Sequence, residues 1–273
     1  MEKLYIPAGH RRKTVIGAAK ILLSLLLLPT AVGCSAKGNV LIYTKNGAGG
    51  SGYVHANIPD SIACLKKICD KNGWTCEATD DAAIFTAEKI KAFDVLVFSN
   101  TNNETFDTDR QREVFKDYIH NGGGFVGIHS VCGSERDWPW FWANLGGKFV
   151  RHPPPQKFDI KVIDCNHPST EFLGSVWKWE DECYFLDNLN PDIHILLAAD
   201  LTTLNDGDAG AYPGKTFGQY FPLCWYHTFE GGRQWYTALG HYPRHYRDEN
   251  FIKHLTGGIR WAMEKNKTEK DKN

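Results

Sequence analysis

The sequence predicts an α/β domain built on a mostly parallel sheet, with an antiparallel hairpin added to it. Three observations predict it. Short apolar runs alternate with helical stretches through residues 40–128, and that alternation specifies parallel strands joined by helical crossovers. The stretch Gly122-Gly123-Gly124-Phe125-Val126-Gly127-Ile128-His129 is apolar and bounded by glycine, as a buried parallel strand is. Further on, Glu230-Gly231-Gly232-Arg233 separates two strand-like stretches, 224–229 and 234–239, which is a hairpin signal.

Residues 1–34 stand apart from the fold. Arg11-Arg12-Lys13 is basic, 21–28 is a short leucine-dense core, and Ala31-Val32-Gly33-Cys34 places small residues before a cysteine. This is the form of a secretory signal. It resembles a bacterial lipoprotein signal, in which the cysteine becomes the lipidated first residue. Lys13-Thr14-Val15 fits a twin-arginine signal poorly. The core is shorter than the roughly 20 residues a spanning helix needs, so cleavage is expected, with Cys34 lipidated. The protein is then exported and lipid-anchored, at the periplasmic face of a bacterial membrane or at the cell surface.

The domain follows a tether at 35–39 and is expected to span 40–264. A first strand at 40–43 leads into a glycine-rich loop that lacks the Gly-Lys-Ser/Thr ending of a phosphate cradle. His55 follows this loop and reads as a solvated helix-leading residue; a place over the same sheet edge as His129 is the alternative. A helix spans 58–72 and Gly73 stops it. Strands at 74–78 and 94–98 flank a short helix at 86–92, and a capped amphipathic helix covers 108–121. The central strand then ends in His129.

The pattern changes beyond it. Residues 134–141 form a charged, aromatic loop, and a short helix follows to 145. Pro153-Pro154-Pro155 excludes regular structure from 146–155. Strands are expected at 158–163, 177–185 and 193–199, the second carrying Glu180-Asp181-Glu182. The hairpin follows, then a closing helix at 249–263 and a disordered tail at 265–273.

Composition narrows the function. A formal net charge of -1 over 273 residues argues against nucleic acid as a partner. Nine tryptophans, several in loop-like stretches, suit stacking on sugar rings or edge packing of a large sheet. With Cys34 lipidated, seven of the eight cysteines remain, an odd number that leaves a free thiol. No Cys-x-x-Cys pair is present, which argues against a structural zinc site. In an open α/β sheet, ligands bind just past the carboxyl ends of the strands. That points to His129, with a capping histidine that bonds backbone as the alternative.

Six stretches together carry a resemblance: Gly-Gly-Phe-Val-Gly-Ile-His at 123–129, Asp-Trp-Pro-Trp at 137–140, His-Pro at 152–153, His-Pro-Ser-Thr at 167–170, Asp-Glu-x-Tyr at 181–184, and Gly-Gly-Arg-x-x-Tyr-Thr-x-Leu-Gly-His at 231–241. In this order they resemble the ThuA-like (trehalose-utilisation) family over residues 40–264. The resemblance implies a class I glutamine amidotransferase-like fold, that is, a flavodoxin-like, doubly wound sheet. In those amidotransferases a cysteine nucleophile occupies the turn after the central strand. His129 stands there in this chain, and Val131 replaces the second flanking glycine, so glutaminase chemistry is not expected. Cys132 reads as a buried or incidental thiol.

The resemblance further implies sugar catabolism, chiefly of trehalose and 3-keto-glycosides, alongside a sugar oxidoreductase. One reading is an enzyme on a 3-keto sugar, whose carbonyl acidifies the adjacent C–H, so that a base near neutral pKa suffices. His129, Glu182 and His241 are the catalytic candidates. The same three could hold a divalent metal such as zinc as a Lewis acid, although no cofactor is required. Asp137, Trp138, Trp140, His152, Asp181 and Tyr184 are substrate-binding candidates. His167 reads as a turn residue. His227, expected opposite about Tyr236, reads as a poor ligand. The alternatives are a non-catalytic sugar-binding lipoprotein and an interaction scaffold.

Overall fold

The computed structural model describes residues 38–47, 53–207 and 218–264. The expected signal with Cys34, the tether up to residue 37, the glycine run 48–52, the stretch 208–217 and the tail 265–273 lie outside the described residues. β1 (Asn39–Tyr43), α1 (Ile58–Asn72), β2 (Thr75–Thr79), α2 (Ala87–Ile90), β3 (Val95–Ser99), α3 (Asp109–His120) and β4 (Gly124–Ile128) alternate as strand and helix. α3 begins in a capping box, with the Thr108 side chain accepting from Gln111 N–H and the Gln111 side chain accepting in return. α1 ends at Gly73 in the left-handed conformation.

The second half comprises α4 (Pro139–Leu145), β5 (Lys148–Arg151), β6 (Gln156–Val162), β7 (Val176–Asp181), β8 (Phe185–Asp187), β9 (His194–Asp200), β10 (Tyr220–Phe229), β11 (Gly232–Thr237) and α5 (Glu249–Met263). Nine strands form one sheet in the order β2-β1-β3-β4-β11-β10-β9-β6-β7. The first five run parallel, in the order of a flavodoxin-like sheet. The last four extend it antiparallel. The hairpin is therefore no peripheral addition. Its second arm, β11, is the fifth parallel strand, and its first arm opens the antiparallel half.

The central strands have almost no exposed surface: Val40 to Tyr43, Val95 to Phe98, and Phe125, Val126 and Ile128 are fully buried. Burial on both faces removes the alternation that a half-solvated strand shows. On one face Phe98 and Phe125 pack against Phe115 of α3 and Phe141 of α4. On the other, a Cβ at Gly124 would lie 2.3 Å from the Ala262 carbonyl oxygen. The glycine lets α5 rest directly on the β4 backbone.

Three expectations change. The hairpin turn is Glu230-Gly231, both at positive φ, so Phe229 pairs with Gly232 and His227 with Gln234 rather than Tyr236. Moving a two-residue turn by one position moves the register by two. The prolines at 153–155 fall after β5 and leave it free to pair with β8 as a second, two-stranded sheet. The single strand expected at 177–185 breaks at Glu182, and residues 182–184 leave the ladder between β7 and β8. No described helix is long and apolar enough to cross a membrane.

Candidate functional site

His129 follows β4 directly, at φ 57° and wholly buried. A left-handed residue after a strand turns its side chain sharply away from the sheet. For a non-glycine residue this costs about 1–3 kcal/mol, a strain that concentrates at functional sites. Asn100 and Asn103, past β3, and Glu135 share the conformation. The His129 ring is fixed by donation from Nδ1–H to the Ala238 carbonyl at 2.8 Å. A carbonyl can only accept, so Nδ1 carries a proton, and in the neutral ring Nε2 carries the lone pair.

Three further side chains gather beside this ring from other loops. His55 comes from the β1–α1 loop, Glu182 from the break after β7, and His241 from the segment after β11. Four antiparallel pairings separate β11 from β7, so both run the same way and open at the same sheet edge. Nε2 of His129 lies 3.1 Å from His55 Nε2 and 3.5 Å from Glu182 Oε2. His241 Nδ1 lies 3.2 Å from the same carboxylate oxygen. Ligand atoms of all four residues fall within 4.8 Å of one another.

The electrostatics follow from burial and mutual contact. Burial, aided by the neighbouring His129 and His241, pushes His55 down to about 3. Burial alone would raise Glu182, but the hydrogen bonds and charges of the surrounding histidines hold it well below the usual carboxylate range. His241 is lowered by burial and raised more by Glu182, so it stands above its ordinary value. Burial and the Glu182 charge keep the Tyr184 phenol protonated far above neutral pH. That phenol donates to His129 Nε2 at 2.9 Å, and its ring stacks on His129 at 4.6 Å.

Two buried residues hold the cluster in shape. Asp181 accepts hydrogen bonds from the backbone N–H of Glu182 at 2.8 Å, of Gly240 at 2.8 Å and of His241 at 3.3 Å, and from Trp179 Nε1 at 2.9 Å. Its carboxylate braces the loops that carry Glu182 and His241. Asn57 donates to the carbonyls of Gly240 at 2.6 Å and His241 at 2.8 Å. It stands two residues from His55, so one clamp ties two of the four loops.

His55, Glu182 and His241 of the cluster line a cavity of about 1000 Å³, and His129 lies wholly buried behind them. The cavity's other walls include Trp138, Phe149, Asn103, Arg136 and Asp137. His152 stands at the side, its Nδ1–H donating to the Pro153 carbonyl at 2.8 Å and its Nε2 3.5 Å from Glu182 Oε1. Of the sequence candidates, Glu182, His241, His152, Tyr184, Asp137 and Trp138 line this space, and His129 meets Glu182, His241 and Tyr184 behind it. Asp181, wholly buried, does not line it, and neither does Trp140. Trp140 stacks on Trp138 at 5.1 Å and donates to Glu230 at the hairpin turn.

His55 is buried and not solvated; the rule that ligands gather past the carboxyl ends of parallel strands marked its loop as clearly as that of His129. Asn57 had no sequence signal beyond its place before a helix. His167 bonds within its own turn, to Ser169. His227 donates to the Asn144 carbonyl. Cys132 is buried, with a thiol that burial pushes up to about 12. All seven described cysteines are free thiols.

A family model described as ThuA, trehalose utilisation, matches residues 39–262. Among solved structures, a ThuA-like protein from Bacteroides uniformis ATCC 8492 is similar at 24% identity and a TM-score of 0.70, over 88% of this chain and 97% of that one. A ThuA-like protein from Parabacteroides merdae ATCC 43184 is similar at 19% identity and a TM-score of 0.65, over 85% and 92%. A Salmonella typhimurium protein described as cytoplasmic is similar at 13% identity and a TM-score of 0.56, over 82% and 98%. At these identities the likeness bears on the fold. No curated protein matches the chain.

Proposed function

The chain belongs to the ThuA, trehalose-utilisation, family, and from that premise we propose that its cavity processes an oxidised, 3-keto sugar or glycoside by acid–base chemistry assisted by a divalent metal. One observation carries the reading: imidazole and carboxylate donors from separate loops meet at the carboxyl edge of the sheet, against an open cavity. Sugar binding alone needs only rings and hydrogen bonds and does not require such a convergence. In this reading His129, Glu182 and His241 hold the metal, zinc among the candidates. When bound, it would polarise the keto oxygen as a Lewis acid.

The protein's own residues do the remaining work. A 3-keto group acidifies the hydrogen on C2. His152, its tautomer set by the Pro153 carbonyl, takes that proton at Nε2. The C1–O bond to the leaving group then breaks, a C1=C2 bond forms, and the departing oxygen takes up a proton. Tyr184, kept protonated by burial, donates a hydrogen bond where negative charge develops. Trp138 and Phe149 offer ring faces to the sugar. The keto group itself must come from a sugar oxidoreductase acting beforehand.

The test is elemental analysis of the purified protein beside His129→Ala, followed by turnover of 3-keto-trehalose. Stoichiometric metal lost in the variant, with turnover falling about 100-fold or more, supports the reading. Tight binding without turnover would make the protein a sugar-binding one instead. Export and lipid anchoring rest on the pattern of residues 11–34. Labelled fatty acid that attaches to the wild type and not to Cys34→Ala supports the anchor, and equal labelling refutes it.

A further inference from the structure

We infer that His55 is a fourth protein donor of this centre, and that the centre accordingly takes a six-coordinate divalent ion whose two remaining positions suit a chelating pair of vicinal oxygens. The inference rests on the metal reading above and goes beyond its three-residue set.

Crowding around one lone pair is the first argument. With its proton committed to Ala238, His129 Nε2 can accept one well-formed hydrogen bond, and the Tyr184 hydroxyl at 2.9 Å supplies it. Yet His55 Nε2 also stands 3.1 Å away and Glu182 Oε2 3.5 Å away, so a second imidazole nitrogen and a carboxylate crowd the same atom. Such donors gather at this spacing around a cation. Metal–ligand bonds of about 2.0–2.2 Å place neighbouring ligand atoms about 2.8–3.1 Å apart on an octahedron and about 3.3–3.6 Å on a tetrahedron, with opposite atoms of an octahedron about 4.0–4.4 Å apart. The observed separations of 3.1, 3.2 and 3.5 Å, in a set whose ligand atoms all lie within 4.8 Å of one another, leave room for one ion among them.

The second argument concerns His55 itself. Buried polar side chains are nearly always hydrogen-bonded. His55 is 5% exposed, and its Nδ1 has no partner among the described residues. Beside edge-on packing with Tyr53 at 4.8 Å, the ring's contacts are with His129 and His241 of the cluster. The Asn57 clamp holds the backbone of His241 and stands two residues from His55, which fits a shared task for the two rings.

Counting donors gives the consequence. Three donors leave a tetrahedral ion one open position, whereas four close it. Four donors leave access only on an ion of higher coordination, as manganese, cobalt and their neighbours adopt. Two free positions match a carbonyl oxygen and the hydroxyl on the next carbon. A 3-keto sugar carries that pair, so the structure assigns vicinal hydroxyketones as the ligand class.

To test this, the full chain is stripped with a chelator and given one equivalent of Co²⁺, and its visible spectrum is recorded with acetohydroxamate as a chelating probe and acetamide as a one-oxygen control. The expected result is the weak absorption of six-coordinate cobalt, shifted by acetohydroxamate and not by acetamide. His55→Ala, checked for folding by circular dichroism, should bind cobalt about 100-fold more weakly, beyond what loss of an outer-shell partner costs. Intense tetrahedral bands in the wild type, or unchanged affinity in His55→Ala, overturn the four-donor centre and leave the three-donor reading standing. A spectrum blind to acetohydroxamate overturns the chelating ligand class. Cobalt bound by neither protein overturns both readings. The wild-type spectrum decides even if the variant does not fold.

Discussion

Replacing Asp181 with asparagine tests whether a buried carboxylate, rather than the local chain, sets the positions of Glu182 and His241. The side chain is wholly buried and accepts four N–H bonds, two on each oxygen. An amide has one acceptor oxygen. Whichever way it turns, its NH₂ faces two backbone or indole donors and loses both bonds. Hydrogen bonds to a charged acceptor contribute about 1.5–3 kcal/mol each, so Asp181→Asn should lose about 3–6 kcal/mol. At about 2–4 °C per kcal/mol for a domain of this size, the melting temperature should fall by about 6–24 °C. Urea unfolding gives the free energy directly, provided the slope is unchanged. Cobalt affinity should fall about 10–100-fold in folded protein, as when the support of a metal ligand is removed. A variant within about 0.5 kcal/mol of the wild type, the usual range for surface changes, would refute the brace.

Acid should destabilise the domain through its buried neutral histidines. Burial lowers His254 to about 3 and His167 to about 4, so as pH falls below about 6.5 the unfolded chain binds protons that the folded one refuses. Stability is full above that pH and is lost toward pH 4, by up to about 1.4 kcal/mol per unit for each histidine; equal urea midpoints at pH 7 and pH 5 would contradict it. Gly124→Ala places a methyl against the Ala262 carbonyl at 2.3 Å and should cost about 1–3 kcal/mol or more, read as a lower melting temperature; an unchanged melt would mean that α5 does not rest on β4. In binding 3-keto-trehalose, Trp138→Ala should weaken affinity about tenfold, while Trp140→Ala, outside the cavity, leaves it within about twofold. Calorimetry that ranks the two variants the other way would refute the placement of the rings.

Much of the parallel half could be read from the chain because its causes are local. Glycine after a helix, a capping threonine, and apolar runs of strand length act over a few residues. α1 matches its expected bounds of 58–72, and the other crossover elements shift only at their ends. The misreadings arise where local chemistry permits two answers. Both Glu230-Gly231 and Gly231-Gly232 can make a two-residue turn, and the register followed the first. Aromatic and acidic residues through 177–185 suit one long strand, yet Asp181 bonds to backbone across the sheet edge and ends it.

For the site, strand-end reasoning reached His129, because burial and chain reversal at a strand end are properties of that strand. The ThuA resemblance supplied Glu182 and His241, which no periodicity singled out. The sequence by itself determined the α/β class, the succession of its first four strands and their crossover helices, and His129 as a site residue. Only the tertiary structure decided that β11 lies beside β4, that Trp140 faces away from the cavity, and that His55 joins the cluster. Those outcomes depend on which distant strands pair and on how the loops beyond them are clamped. Side chains far apart in the chain meet only after the sheet has assembled, so no local rule encodes their distances.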